Sequence, residues 1–261
     1  QSLENNTASE NTAVGFYSLK ANAGGTKNVA VGYKALSAAT TGGDNVAVGS
    51  NALGATTTAG NNTAVGVSAL GSHTTGGNNT AMGASALAAT TTAEGVTAVG
   101  FQALQANTTG TRNVAVGKES LKTVTTGIQN TAMGNNALEL NTGNNNTAFG
   151  YAALNANTSA ANNTAVGISA LKANTTASDN TSVGAGSLDA NTTGGFNSAL
   201  GSEALGANTT GASNVAIGVS ALAANTTASN NTAVGRDSLI ANTTGANNTA
   251  VGSLALDACT T

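Results

Sequence analysis

An all-β fold, a parallel β-solenoid, is predicted by three observations on this chain. One short string recurs at a fixed interval along nearly all of the 261 residues. A Gly and a Leu each hold an invariant place in that interval. The composition also lacks the large side chains that an ordinary globular core requires. Seven aromatics in the whole chain, none of them Trp, fall far short when Phe, Tyr and Trp each bury about 150–250 Å² in such cores.

The string is Asn-Thr-Ala-Val-Gly at Asn11. Its relatives start at Asn28, Asn45, Asn62, Asn79, Val96, Asn113, Asn130, Asn146, Asn163, Asn180, Asn197, Asn214, Asn231 and Asn248. Every step is 17 residues except that from Asn130 to Asn146, which is 16. The reading is therefore a single repeat array over 11–261, with one 16-residue unit at 130–145. Residues 1–10 form a partial N-terminal coil, since Ser2-Leu3 and Asn6-Thr7 echo later units. Both ends stop within a repeat, so a fragment or a rod stacking end to end is expected.

Helix-pair repeats need about 33–47 residues, and an invariant Gly with paired Thr opposes helix. Short strands between Gly and Asn turns fit 17 residues. Two strands and two turns per coil are expected. Coils spaced by about 4.7–4.9 Å would give fifteen coils a length of about 70 Å.

Counting from the Asn, position 5 is always Gly, position 9 always Leu, and position 4 always apolar. Alternation along a strand then assigns the core to positions 4 and 9: Val14, Leu19, Val31, Leu36, Val166, Leu171, Ile217 and Leu222. The turn residues are Gly15, Gly32, Gly167 and Gly218, where Gly permits φ > 0, with Asn28 and Asn163. Stacked Asn side chains can bond as a ladder. Positions 3 and 8 are small in every unit and fall opposite that core. Ala98, Ala103, Ala165 and Ala170 are accordingly expected to pack against other chains, and Glu at Ala98 and Ala165 to break a homo-oligomer.

Asn-Val-Ala-Val-Gly at 28–32, 45–49 and 113–117, and Asn214-Val215-Ala216-Ile217-Gly218, resemble the Ser-Val-Ala-Ile-Gly core of YadA-like head repeats in trimeric autotransporter adhesins. Ser18, Ser120, Ser187 and Ser238 match the Ser that follows in those repeats. The chain is similar also to Asn-Thr-Ala-Val-Gly arrays of bacterial and phage tail-fibre-like proteins. The resemblance spans the whole array, with a longer period than the adhesin heads. It implies a left-handed β-roll, a homotrimer, and a place in a fibre or adhesive head.

Charged residues make up 7% of the chain, against roughly 25% in typical proteins. Eight basic residues, scattered, make no nucleic-acid footprint. No apolar run approaches the ~20 residues of a membrane helix. No catalytic, cofactor or metal site is expected. His73 is the only His, so no histidine cluster exists, and it reads as a turn substitution. Cys259 reads as structural, or as an intermolecular disulfide in a secreted protein. The Thr pairs, Thr175-Thr176 and Thr192-Thr193 among them, read first as hydroxyl ladders around a turn and second as an ice-binding array. Asn-x-Thr sequons recur at Asn107, Asn174 and Asn191, which favours a bacterial or phage-type origin. The expected function is an extracellular or cell-surface structural protein, a stiff rod or filament whose partner is itself. An adhesin or tail-fibre segment with a host-surface ligand is the alternative, and an ice-binding solenoid the second.

Overall fold

The computed structural model describes residues 2–260 and falls into two compact units, Gln1–Gln129 and Asn130–Thr261. The first unit carries β1 (Thr12–Val14), β2 (Val29–Val31), β3 (Val46–Val48), β4 (Thr63–Val65), β5 (Thr80–Met82), β6 (Thr97–Val99) and β7 (Val114–Val116). The second carries β8 (Thr131–Met133), β9 (Thr147–Phe149), β10 (Thr164–Val166), β11 (Thr181–Val183), β12 (Ser198–Leu200), β13 (Val215–Ile217), β14 (Thr232–Val234) and β15 (Thr249–Val251). Within each unit, successive strands pair parallel and in register, position on position, as in Thr12↔Val29 and Thr164↔Thr181. Each unit is thus a parallel β-solenoid. No helix occurs among the described residues.

Each coil has one three-residue strand, not the two expected. Positions 5–8 and 9–12 instead form turns, closed by bonds such as Ala35 N–H to Gly32 O (3.3 Å) and Ala39 N–H to Leu36 O (3.3 Å). Residues with positive φ produce this path. The position-9 leucines all lie between 46° and 54°. That conformation costs an L-residue about 1–2 kcal/mol. Complete burial of each Leu from Leu19 to Leu239 is worth about 1.5–3 kcal/mol, enough to hold it there. Leu36 N–H meanwhile bonds Ala52 O of the next coil at 3.0 Å. Leu3 repeats the geometry, with φ 53° and a bond to Ser18 O.

The Gly column is required twice over. Gly32 has φ +132°, and a Cβ there would lie 2.6 Å from Gly49 O. Gly15, Gly167 and Gly218 share this conformation. Where positions 1 and 12 are both Asn, the two side chains can close a coil on one carbonyl. Asn163 and Asn174 both donate to Ala177 O at 2.9 Å. The position-1 Asn also accepts from its successor's backbone: Asn45 N–H bonds Asn28 Oδ1, and Asn180 N–H bonds Asn163 Oδ1, both at 3.0 Å. The position-1 ladder is therefore present in both units. A second ladder, at position 12, runs from Asn141 through Asn157, Asn174, Asn191, Asn208 and Asn225 to Asn242. In the first unit that column is mixed: Asn22, Ala39, Thr56, His73, Thr90, Asn107, Val124.

Candidate interaction surface

Strand alternation has the parity expected and the opposite sense. Ala98 and Ala165 of position 3, and Ala103 and Ala170 of position 8, have 0% exposure and fill the interior of their own units. They are not inter-chain packing residues. Val14, Val31, Val166 and Ile217 are not core. They point outward, with Val14 58% exposed and Ile217 40%. Leu19, Leu36, Leu171 and Leu222 are core as expected. The reason is width. A coil with one short strand leaves room for a methyl beneath the strand, and the larger Val must lie outside. Ser182, which replaces Ala in this column, buries its hydroxyl against Ser187 of the same coil.

The outward surface of the strands is therefore made by positions 2 and 4. No charged residue occupies either column in any coil. Position 2 is Thr, Val or Ser; position 4 is Val, Met82, Met133, Phe149, Leu200 or Ile217. Position 6, just beyond the Gly, continues the stripe with Phe16, Tyr33, Val67, Phe101, Tyr151, Ile168 and Val219, all exposed. Lys118 and Arg236 are its only charges. Five of the seven aromatics lie in columns 4 and 6. Most other charges sit in columns 7, 10 and 17. Three outward columns over seven strands give 21 residues in the first unit, and over eight strands 24 in the second. A standard protein interface uses about 20–30 a side. In the second unit the stripe dips into an apolar depression of about 270 Å³, lined by Thr181, Val183, Ser198, Leu200 and Ile217.

The remaining polar candidates are structural. His73 is fully buried at position 12 and takes the Asn role, its Nε2 bonding Gly76 O at 2.5 Å. Its Nδ1 has no partner, and burial holds its pKa below the ordinary 6.5 against the opposing Gly76 bond. Asn107 Oδ1 and Asn242 Oδ1 are likewise unbonded, and for a visible reason: Val124 and Cys259 follow them in the column. Burial raises the pKa of Asp189, opposed by backbone bonds and by Lys172. Position-13 hydroxyls bond the next coil's position-13 carbonyl, as Thr175 Oγ1 to Thr192 O (3.1 Å) and Thr192 Oγ1 to Thr209 O (3.0 Å). Position-14 threonines such as Thr176 and Thr193 are exposed beside them. Among the described residues there is no group of three or more His, Cys, Asp or Glu side chains placed to hold a metal ion. No helix among them is long and apolar enough to cross a membrane.

No family model matches the chain, and no curated protein is significantly similar to it.

Proposed function

We propose that this chain is an extracellular structural protein that associates with copies of itself through the strand face, forming part of a fibre or filament. One observation carries the reading: an outward apolar stripe of interface size, with only two charges, Lys118 and Arg236, in its three columns. Monomeric proteins rarely expose large contiguous apolar patches. Because columns 2 and 4 bear no charge and column 6 only Lys118 and Arg236, the stripe offers a charged partner little to pair with and suits another copy of the same face. The left-handed roll and the trimer implied by the adhesin and tail-fibre resemblance are the finer form of this proposal. An origin on a bacterial or phage surface accords with the resemblance and the dense sequons.

A surface-binding role, as adhesin or tail-fibre segment, would use the variable columns 7, 10 and 17 that the stripe leaves free. Ice binding is a weaker reading. The position-13 hydroxyls are already committed as donors to neighbouring coils, and Met82, Met133, Phe149 and Leu200 make the strand face uneven. Negative-stain electron microscopy of the purified protein, with light scattering, tests the proposal. Filaments or discrete oligomers are expected. Particles with the 24.8 kDa mass of one chain at tens of micromolar would overturn it.

A further inference from the structure

A strictly periodic face does not by itself define how two copies align. Displaced by one coil, columns 2 and 4 meet nearly the same partners: β3 presents Val46 and Val48, β4 Thr63 and Val65. Coiled coils resolve the same degeneracy with a single odd residue in the repeat. We propose that the large side chains of column 6 set the axial register in which two copies of this chain dock. They are Phe16, Tyr33 and Phe101 in the first unit and Tyr151 in the second. This rests on the self-association reading above.

Column 6 is the outward column whose size varies most from coil to coil. In the first unit it runs Phe16, Tyr33, Ser50, Val67, Ala84, Phe101, Lys118, an order with no internal period. A copy slipped by one coil brings the level of Phe101 to that of Ala84 or of Lys118. A ring then meets a methyl, or an ammonium group is pressed against a ring and loses water. Lys118 is paired with Glu119, Nζ to Oε2 3.8 Å, so the second slip sets a ring against a hydrated ion pair and buries less apolar surface. The second unit repeats the device, since a slip carries Arg236 to the level of Val219. Two of the rings are ordered in advance. Phe16 and Tyr33 lie parallel within 4°, centroids 6.1 Å apart, and Lys34 Nζ sits 5.3 Å from the Tyr33 centroid. Side chains already held in place lose less entropy on docking.

The test places one spin label at Ser72→Cys, outside the stripe, in a Cys259→Ser background, and measures distances between copies by pulsed electron resonance. The unaltered stripe is expected to give one narrow distance. The variant Phe16→Ser/Tyr33→Ser/Phe101→Ser/Tyr151→Ser is expected to stay associated and add longer distances, from axial offsets in multiples of about 4.8 Å. A permuted variant, Ala84→Phe/Phe101→Ala, keeps the number of rings and so keeps affinity; mixed with unaltered copies it is expected to shift or broaden the distance. A single unchanged distance in the permuted mixture, or several distances already in the unaltered protein, would overturn register setting while leaving self-association intact. A monomeric unaltered protein would remove both readings.

Discussion

Substituting one glycine of column 5 tests the stacking geometry most sharply. Gly66 has φ +136°, and a Cβ added there lies 2.5 Å from Gly83 O and 2.6 Å from Gly83 C. Ordinary carbon contacts sit at about 3.5–4.0 Å, so coils 4 and 5 must part by about 1 Å. The parting strains two bonds between these coils, Gly83 N–H to Val65 O at 2.7 Å and Ser85 N–H to Val67 O at 2.9 Å. Forcing an L-residue into that region costs about 1–3 kcal/mol, and overpacking about 1–3 more. Gly66→Ala should therefore cost about 2–6 kcal/mol. The control is Gly95, whose φ is +65° and whose Cβ position is open. Asn61 and Asn78 hold the same column at φ 59° and 60°, so Gly95→Asn should be neutral or stabilising by up to ~1 kcal/mol. Urea unfolding followed by far-ultraviolet circular dichroism compares the two, and hydrogen exchange locates the loss. Stacked repeats can open in sections, and the exchange data should place the opening at coils 4 and 5. Equal midpoints for the two variants would refute the close backbone approach.

Three further outcomes are expected. Leu87→Ala, at a fully buried side chain, should cost about 2–5 kcal/mol in the same urea assay, and Ala98→Glu should unfold its region rather than dissociate an oligomer. Asn163→Ala removes the acceptor of Asn180 N–H, while Ala177 O keeps its bond from Asn174; with about 1–3 kcal/mol for the one buried group left unbonded, a loss of about 1–3 kcal/mol in unfolding free energy is expected. His73 is held neutral in the fold by burial, its pKa lying below 6.5, so the unfolded chain takes up its proton first. Stability should be level above pH 6.5 and fall as pH drops through and below it, by up to about 1.4 kcal/mol per pH unit, and His73→Asn should abolish that part of the fall in paired melting curves.

The period, the parallel stacking and the in-register columns were legible in the sequence because Gly15 to Gly252 and Leu19 to Leu256 recur without exception. The Asn and Thr ladders were legible for the same reason: stacking at a fixed period aligns identical hydrogen-bonding groups. Which face of the strand is inside was not legible from alternation, which supplies parity but no direction. A signal for direction existed in the volumes. Column 4 accepts everything from Val14 to Phe149, a tolerance that a close-packed interior does not allow. Column 3 accepts only Ala and Ser, the mark of a narrow interior. The second strand failed for a different cause. Leucine has no intrinsic preference for positive φ, and only its burial between coils holds Leu36 or Leu171 in that region. The aromatic stripe followed once direction was known, since Phe16, Tyr33 and Phe101 stand beyond the Gly on the same side as Val14, Val31 and Val99.

Sedimentation equilibrium of the unaltered chain beside Val65→Glu/Val99→Glu tests the central claim most directly. Both valines lie in the outward column 4, and the variant should keep the circular dichroism of the unaltered fold. The account predicts a multiple of 24.8 kDa for the unaltered chain and a single 24.8 kDa species for the charged variant. A folded charged variant that associates as strongly as the unaltered chain, or an unaltered chain that sediments as one copy, would contradict it.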